Sequence, residues 1–131
     1  MTPATHDRVV GVAGSFEKSI NAIGFLKDAG ITTHTNTTIT RLNINECIQF
    51  SKFTKETVQN DRFSMNLMIP AGSGSINDDL VVPYNDAGEI VKAIIRESEH
   101  SGVEFMWYSP VPMCMFNSIV YGLGNKGCSA C

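Results

Sequence analysis

Apolar residues recur at helical spacing in three stretches of the chain, and residues typical of helix starts precede each stretch. The three stretches are residues 15–29, 43–56 and 85–101. Ser15 and Asn85 are candidate caps, because their side-chain oxygens can accept a hydrogen bond from the first free backbone N–H groups. Asn43 and Glu46 have the three-residue spacing of a capping box. The pattern therefore predicts three helices.

Between these helices lie stretches with the two-residue period of β-strands. The predicted strands are residues 31–39, 62–69 and 103–108. The first is rich in β-branched residues but unusually polar. The second alternates strictly, so that one face is apolar and the other carries Arg62, Ser64, Asn66 and Met68. One face of this strand is therefore predicted to be buried and the other to be polar.

The alternation of strands and helices predicts an α/β fold. Connections of this length join parallel strands through right-handed crossovers. Three strands cannot close a barrel, so the sequence predicts an open parallel sheet. A strand in a doubly wound sheet would be apolar on both faces, and the polar row of the second strand instead favours a sheet with helices on its outer face that curves around a ligand.

Composition narrows the class of protein without changing the predicted fold. The chain has 131 residues, of which 43% are hydrophobic and 18% are charged, with a formal net charge of −3. This is the composition of an ordinary globular domain, and its charge does not suit a general nucleic-acid or anionic-membrane binder. No apolar run has the roughly 20 residues of a membrane span. Without a recognisable secretory signal, we expect a cytoplasmic protein.

Polar residues on the first two strands are the candidate ligand-binding groups. Ligands of parallel α/β folds bind at the carboxyl ends of the strands. The candidates by this rule are His34, Asn36, Thr38, Asn66 and Met68. The competing interpretation is that these side chains line an edge strand and simply face water.

Four cysteines and one His-Asp pair are the remaining chemical groups of interest. Cys128 and Cys131 have the spacing of two ligands of a soft metal, or of a redox pair, and Cys114 is either a third ligand or a buried inert thiol. Cys47 lies on the apolar stripe of a predicted helix and is expected to be core. For Asp7, beside His6, we expect local hydrogen bonding rather than acid–base catalysis.

Four segments of the chain, taken together, resemble the radical S-adenosylmethionine (AdoMet) enzymes that carry a C-terminal SPASM or twitch extension. The segments are residues 6–18, 34–38 (His-Thr-Asn-Thr-Thr), 62–72 and 106–131. The resemblance runs from end to end and rests on the order of the segments and on the cysteine-containing tail.

The resemblance implies part of a partial (β/α)6 barrel over residues 1–108, followed by a linker and the start of the extension over residues 109–131. It implies AdoMet and [4Fe–4S] clusters as cofactors. The AdoMet-facing residues it implies are His34, Asn36, Thr38, Arg62, Asn66 and Met68. A surface ion pair remains the simpler interpretation of Arg62. The resemblance also implies that Cys128 and Cys131, with Cys114 as a weaker candidate, hold an auxiliary cluster.

The chain departs from this family in one defining feature. It lacks the C-x3-C-x2-C motif whose three thiolates hold the AdoMet-binding cluster. We therefore expect the later part of such an enzyme, which depends on the remainder of the barrel and does not cleave AdoMet alone. The resemblance favours a peptide or protein as the substrate of the whole enzyme. Two alternatives stay open: an α/β binding module with a C-terminal zinc or redox site, and part of a barrel-type lyase or aldolase.

Overall fold

A computed structural model describes residues 1–72 and 76–123. Within these ranges the helices are α1 (Pro3–Val10), α2 (Ser15–Asp28), α3 (Ile44–Ile48), α4 (Phe50–Phe53) and α5 (Tyr84–Ser101), and the strands are β1 (Asn36–Ile39), β2 (Arg62–Leu67) and β3 (Glu104–Trp107). A π-helical turn (Thr54–Val58) follows α4, and 3-10 turns occupy Asp78–Leu80 and Ser118–Tyr121. None of the helices in this part of the chain is long and apolar enough to cross a bilayer.

The strands form a parallel sheet in the order β1-β2-β3. The predicted α/β class with three parallel strands is confirmed, and the arrangement is that of part of a (β/α) barrel. β1 is shorter than predicted, because its register with β2 begins at Asn36 opposite Ser64. Residues 31–35 precede that ladder and have no strand conformation.

The hydrophobic core lies on one face of the sheet, beneath the later helices. Phe63 and Met65 of β2 are completely buried there, beside Val91 and Ile94 of α5. Helix α5 packs against α3, α4 and β3. The helices therefore cover the outer, apolar face, as the alternation of β2 predicted, and they leave the inner, polar face to the functional site.

The second predicted helix is broken, and the predicted capping box within it is wrong. α3 ends at Ile48, Gln49 separates it from α4, and the π-helical turn follows α4. The Asn43 side chain makes no capping hydrogen bond; its Oδ1 accepts from the Thr40 N–H (2.8 Å) and its Nδ2 donates to the Thr38 carbonyl (2.9 Å). Asn43 therefore ties the end of β1 to the start of α3.

The partners of Glu46 also differ from the predicted box, because two residues from the start of α1 bind it. Its carboxylate accepts hydrogen bonds from the Thr5 hydroxyl (2.5 Å) and the Thr2 N–H (2.6 Å). These residues lie about 40 positions away in sequence, so local spacing could not reveal them.

The caps predicted for the other two helices are wrong as well. Ser15 is the first residue of α2 and Gly14 is its cap, in the left-handed conformation. α5 is preceded by Pro83, which makes no side-chain capping bond, and it ends at Gly102, as predicted.

Candidate functional site

A chain of side-chain hydrogen bonds runs along the inner face of β1 and β2; we call it the polar ladder. Its members are His34, Asn36, Thr38, Ser64 and Asn66. His34 Nε2 and Asn36 Oδ1 each lie 2.9 Å from Ser64 Oγ. Asn36 Nδ2 donates to Asn66 Oδ1 (2.9 Å), and Asn66 Nδ2 donates to Thr38 Oγ1 (3.3 Å).

The strand register explains why four of these five residues meet, and His34 joins them from just before β1. Asn36 is opposite Ser64 and Thr38 is opposite Asn66, and alternate residues of a strand point to the same face. The structure therefore brings together His34, Asn36, Thr38 and Asn66, which sequence reasoning singled out from two separate segments.

Ser64 is the member of the ladder that sequence reasoning did not select. It is completely buried, and its hydroxyl lies within hydrogen-bond distance of His34, Asn36 and the Thr35 carbonyl. Its place in the polar row of β2 was visible in the sequence. Its role as the link between Asn36 of β1 and His34 before that strand depends on the register, which the sequence does not show.

The ladder leaves some of its hydrogen-bonding capacity free for a ligand. The Thr38 hydroxyl accepts from Asn66 and keeps its own hydrogen, and the Asn36 amide keeps a second N–H. Asn36 is exposed and Thr38 half-buried, so both are within reach of a molecule on the inner face. These groups can donate to carboxylate, hydroxyl or ring-nitrogen acceptors.

Sulfur-containing and aromatic side chains lie next to the ladder. Met68 is half-buried just beyond β2. Its N–H donates to the Ile39 carbonyl (3.1 Å), which continues the backbone hydrogen bonds between β1 and β2. Met106 of β3 is opposite Ser64, and its sulfur accepts from the Tyr108 hydroxyl (3.5 Å). These side chains give the inner face an apolar, polarisable border suited to a flat ring.

Arg62 takes no part in the polar ladder, although it lies at the same, amino end of the sheet as His34, which precedes β1. It is the first residue of β2, half-exposed, with Nε 3.5 Å from Asp61 Oδ1 and 3.7 Å from Glu104 Oε2. It thus occupies the amino end of the sheet, opposite the end where Met68 lies. The structure places it in a surface ion-pair network.

The segments that follow β2 and β3 are both attached to the carboxyl end of the sheet. The Arg41 N–H donates to the Leu80 carbonyl (2.9 Å), and its Nε donates to the Val81 carbonyl (2.8 Å). The hydroxyl of Ser109 accepts from the Leu67 N–H (2.6 Å). Both attachments order the end of the sheet at which parallel α/β proteins bind ligands.

Asp7 makes the local hydrogen bonds that its sequence context suggested. Its carboxylate accepts from the N–H groups of Phe16 (2.8 Å) and Gly14 (2.5 Å) and from the Ser15 hydroxyl (2.9 Å). The Phe16 N–H, followed by the Gly14, Ser15 and His6 hydrogen bonds, lowers the pKa of Asp7 to about 2. Asp7 therefore caps α2 from a position eight residues before its first residue.

A cavity of about 330 Å³ lies between the α1–α2 hairpin and the edge of β1, where Asn36 and Thr38 of the polar ladder also line it. Its apolar lining comes from residues that include Val9, Phe16, Ile20, Ile23 and Phe53. Thr35 also lines it, and the Thr35 hydroxyl is buried without a hydrogen-bond partner among the described residues. The hairpin thus extends beyond β1 without packing tightly on it.

Two cysteines, Cys47 and Cys114, lie among the described residues, and their surroundings differ. Cys47 is completely buried, as expected for a core residue, and burial raises the pKa of its thiol to about 12. Cys114 is exposed, so the expectation of a buried thiol there is wrong. Cys128 and Cys131 lie outside the described residues. Across residues 1–72 and 76–123, no three His, Cys, Asp or Glu side chains lie close enough together to hold a metal ion.

Comparison with known proteins finds two relatives with the same activity in their names. The AdoMet-dependent heme synthase of Nitratidesulfovibrio vulgaris is 34% identical over 88 residues, which are 67% of this chain but 24% of the relative. That of Oleidesulfovibrio alaskensis is 51% identical over 39 residues, which are 30% of this chain and 10% of the relative. No model of a protein family and no solved structure matches. The chain is therefore similar, over two thirds of its length, to about a quarter of an AdoMet-dependent heme synthase.

Proposed function

We propose that this chain is the later part of the barrel of a radical AdoMet enzyme and that the polar ladder lines its AdoMet site. The observation that carries the proposal is the ladder itself, a continuous set of uncharged donors and acceptors on the inner face of a parallel sheet. The similarity to AdoMet-dependent heme synthases supports the choice of ligand.

The donor set of the inner face fits AdoMet. AdoMet presents a carboxylate, an ammonium, ribose hydroxyls and adenine nitrogens, which are satisfied by hydroxyl, amide and imidazole groups. Thr38 and Asn36 have hydrogens to donate, and Met68 provides an apolar surface at the carboxyl end. When bound, AdoMet supplies a transferable methyl or 5′-deoxyadenosyl group, and the ladder's task is to bind and orient it.

The described residues do not fit the cluster that radical AdoMet enzymes use. A [4Fe–4S] cluster that binds AdoMet needs three thiolates, and the chain has no C-x3-C-x2-C motif. The described part of the chain also holds no metal-binding group of three suitable side chains. The proposal therefore assigns that cluster to a part of the enzyme outside this chain. Cys114, Cys128 and Cys131 remain the proposed ligands of an auxiliary cluster in a SPASM or twitch extension, with residues 109–131 as its start.

For the whole enzyme we propose AdoMet-dependent synthesis of haem. The names of both relatives support this activity. They do not support the peptide or protein substrate that the sequence led us to expect, and that substrate stays a prediction. A cytoplasmic location also stays a prediction.

The proposed partner of this segment is the remainder of the barrel, and we propose that it joins at β1. β1 has a strand neighbour on one side only within the described residues, and the cavity beneath the α1–α2 hairpin lies beside it. A crossover helix lies above the groove between the two strands it connects. α2 precedes β1, so a strand added at this edge would lie beneath the hairpin and fill the cavity with its side chains.

The AdoMet site is tested by two valine substitutions at neighbouring threonines. Thr38→Val removes a hydroxyl that accepts from Asn66 and has its own hydrogen available to a ligand, and Thr37→Val is the matched control because its side chain points to the other face. Both changes keep a β-branched residue in the strand. We expect calorimetric titration to show AdoMet affinity reduced about tenfold by Thr38→Val, equivalent to ~1.4 kcal/mol, and unchanged by Thr37→Val. Equal affinities for the two variants, or no AdoMet binding by the unmodified chain, would contradict the proposed site.

A further inference from the structure

One backbone carbonyl determines the direction of every hydrogen bond in the polar ladder. Asn66 Nδ2 lies 3.3 Å from the Leu67 carbonyl oxygen, which can only accept. The amide of Asn66 must therefore turn its nitrogen to Leu67 and Thr38, and its oxygen to Asn36. The reverse orientation would bring two oxygens together.

The direction continues through Asn36 to Ser64. The side-chain oxygen of Asn66 faces Asn36 and can only accept, so Asn36 must donate from its Nδ2, which lies 2.9 Å from Asn66 Oδ1. The other end of the Asn36 amide, Oδ1, then faces Ser64 Oγ at 2.9 Å, and only Ser64 can supply the hydrogen. The remaining backbone acceptor near Ser64, the Thr35 carbonyl at 3.2 Å, is also unable to donate. The single hydrogen of the Ser64 hydroxyl is therefore donated to Asn36 Oδ1 or to the Thr35 carbonyl, and none is left for His34.

His34 must consequently donate to Ser64. Its Nε2 lies 2.9 Å from Ser64 Oγ, which has no hydrogen left to give. Ser64 is completely buried, so bulk water cannot take over this contact. In its neutral form, the imidazole of His34 therefore carries its hydrogen on Nε2 and a lone pair on Nδ1. No hydrogen bond to that Nδ1 exists within the part of the chain that the structure describes.

We propose that Ser64 is a positioning residue that holds His34 as the Nε2–H tautomer, so that Nδ1 accepts a hydrogen bond from the ligand. His34 is exposed at the amino-end side of the ladder, beside the donors of Asn36. The ligand group it recognises is an N–H or O–H donor, such as an ammonium or a hydroxyl, and not a carboxylate or phosphate. The identity of this ligand as AdoMet rests on the proposed function; the tautomer does not.

The tautomer can be measured directly on the full chain labelled with 15N. Long-range 1H–15N correlation spectra, recorded in mildly alkaline buffer, distinguish a protonated from an unprotonated ring nitrogen. We expect His34 to show a protonated Nε2 and an unprotonated Nδ1. A protonated Nδ1, or an equal mixture of tautomers, would overturn the proposal without any need for a variant.

A pair of serine variants tests whether Ser64 is the cause. Ser64→Ala removes the acceptor, and we expect the His34 tautomers to become mixed. Ser98→Ala is the matched control, because Ser98 is also buried and bonded to a carbonyl, that of Ile95, but lies on α5. It should leave the His34 spectrum unchanged. A His34 spectrum that is the same in both variants would show that Ser64 does not position the ring.

Addition of AdoMet separates the acceptor role from the proposed function. If AdoMet binds and His34 Nδ1 accepts from it, the Nδ1 resonance should move towards the value of a hydrogen-bonded nitrogen. Binding that leaves this resonance in place would overturn the acceptor role while the AdoMet site stands. Absence of binding would instead contradict the AdoMet site, and the tautomer measured on the free chain would still decide the role of Ser64.

Discussion

Single residues of this protein perform tasks that depend on what the fold brings next to them. Asp7 is an example, because it lies in one helix and caps the next. Its carboxylate accepts hydrogen bonds from the Gly14 and Phe16 N–H groups, which α2 would otherwise leave unpaired, and from the Ser15 hydroxyl. Ser15 is the residue whose local context suggested a cap, but it supplies one of these donors.

The Asp7 cap predicts a specific loss of stability in acid. Because the folded pKa of about 2 lies below the ordinary value of 3.8, the ionised form stabilises the fold. This contribution is complete above about pH 4 and is lost as the pH falls through about 2. We expect Asp7→Asn to lower the free energy of unfolding at neutral pH, and the difference from the unmodified chain to shrink in acid.

Urea denaturation at a series of pH values measures this difference. Asp28→Asn is the matched control, because Asp28 is at the carboxyl end of α2 and caps no backbone N–H group. The control should leave the stability at neutral pH nearly unchanged. A difference between Asp7→Asn and the unmodified chain that stays constant from neutral to strongly acidic pH would contradict the capping role.

At the scale of elements, α5 holds the sheet and the segment after β3 together. Gly88, on its buried side, permits a close approach of that segment: a Cβ at this position would lie 2.8 Å from the Met115 carbonyl oxygen and 3.3 Å from Phe116 Cβ. Phe116 is itself buried, so the contact cannot open without exposing apolar surface. The glycine is therefore needed for packing, although glycine weakens a helix.

Two glycine-to-alanine changes should have opposite effects on stability. Gly88→Ala is expected to lower the free energy of unfolding by about 1–3 kcal/mol, because overpacking outweighs the better helix propensity of alanine. Gly24→Ala, in α2, meets no atom within 4 Å and should raise it by about 0.5–1 kcal/mol. Chemical denaturation of both variants measures the pair, and a stabilising Gly88→Ala would show that α5 does not pack against residues 115–116 as described.

At the scale of the whole molecule, the α1–α2 hairpin and β1 form one open side of the sheet among the described residues. Exposed apolar side chains lie on this side, among them Val10 (53% exposed), Val12 (51%) and Phe25 (74%). Strands with an open edge readily pair with another chain. In the proposed enzyme this side meets the remainder of the barrel, and in the isolated chain it is free.

We therefore expect the isolated chain to self-associate through this side as its concentration rises. Phe25→Lys should shift the chain towards monomer, because a charge would replace an apolar contact. Ile76→Lys, at an equally exposed position in the loop after β2, is the control that should leave association unchanged. Sedimentation equilibrium measures the effect, and a monomer at all concentrations would contradict the expectation.

Local sequence pattern determined the elements of this protein and the faces of its strands. The two-residue period of β2 separated Phe63 and Met65, which are buried in the core, from Asn66, which lies in the polar ladder. This information is local, because side chains alternate along any strand whatever lies beside it. The same period placed Arg62 on the polar row at the start of the strand, but it could not show which carboxylates, those of Asp61 and Glu104, lie beside it.

Only the tertiary structure decided which residues meet. Ser64 became the centre of the ladder because the crossover between β1 and β2 sets the register that puts it opposite Asn36. Glu46 binds Thr5 instead of capping α3 because α1 reaches the start of that helix. Each of these pairs is separated by many residues, and its geometry depends on how the helices cross the sheet, which no local period of the sequence contains.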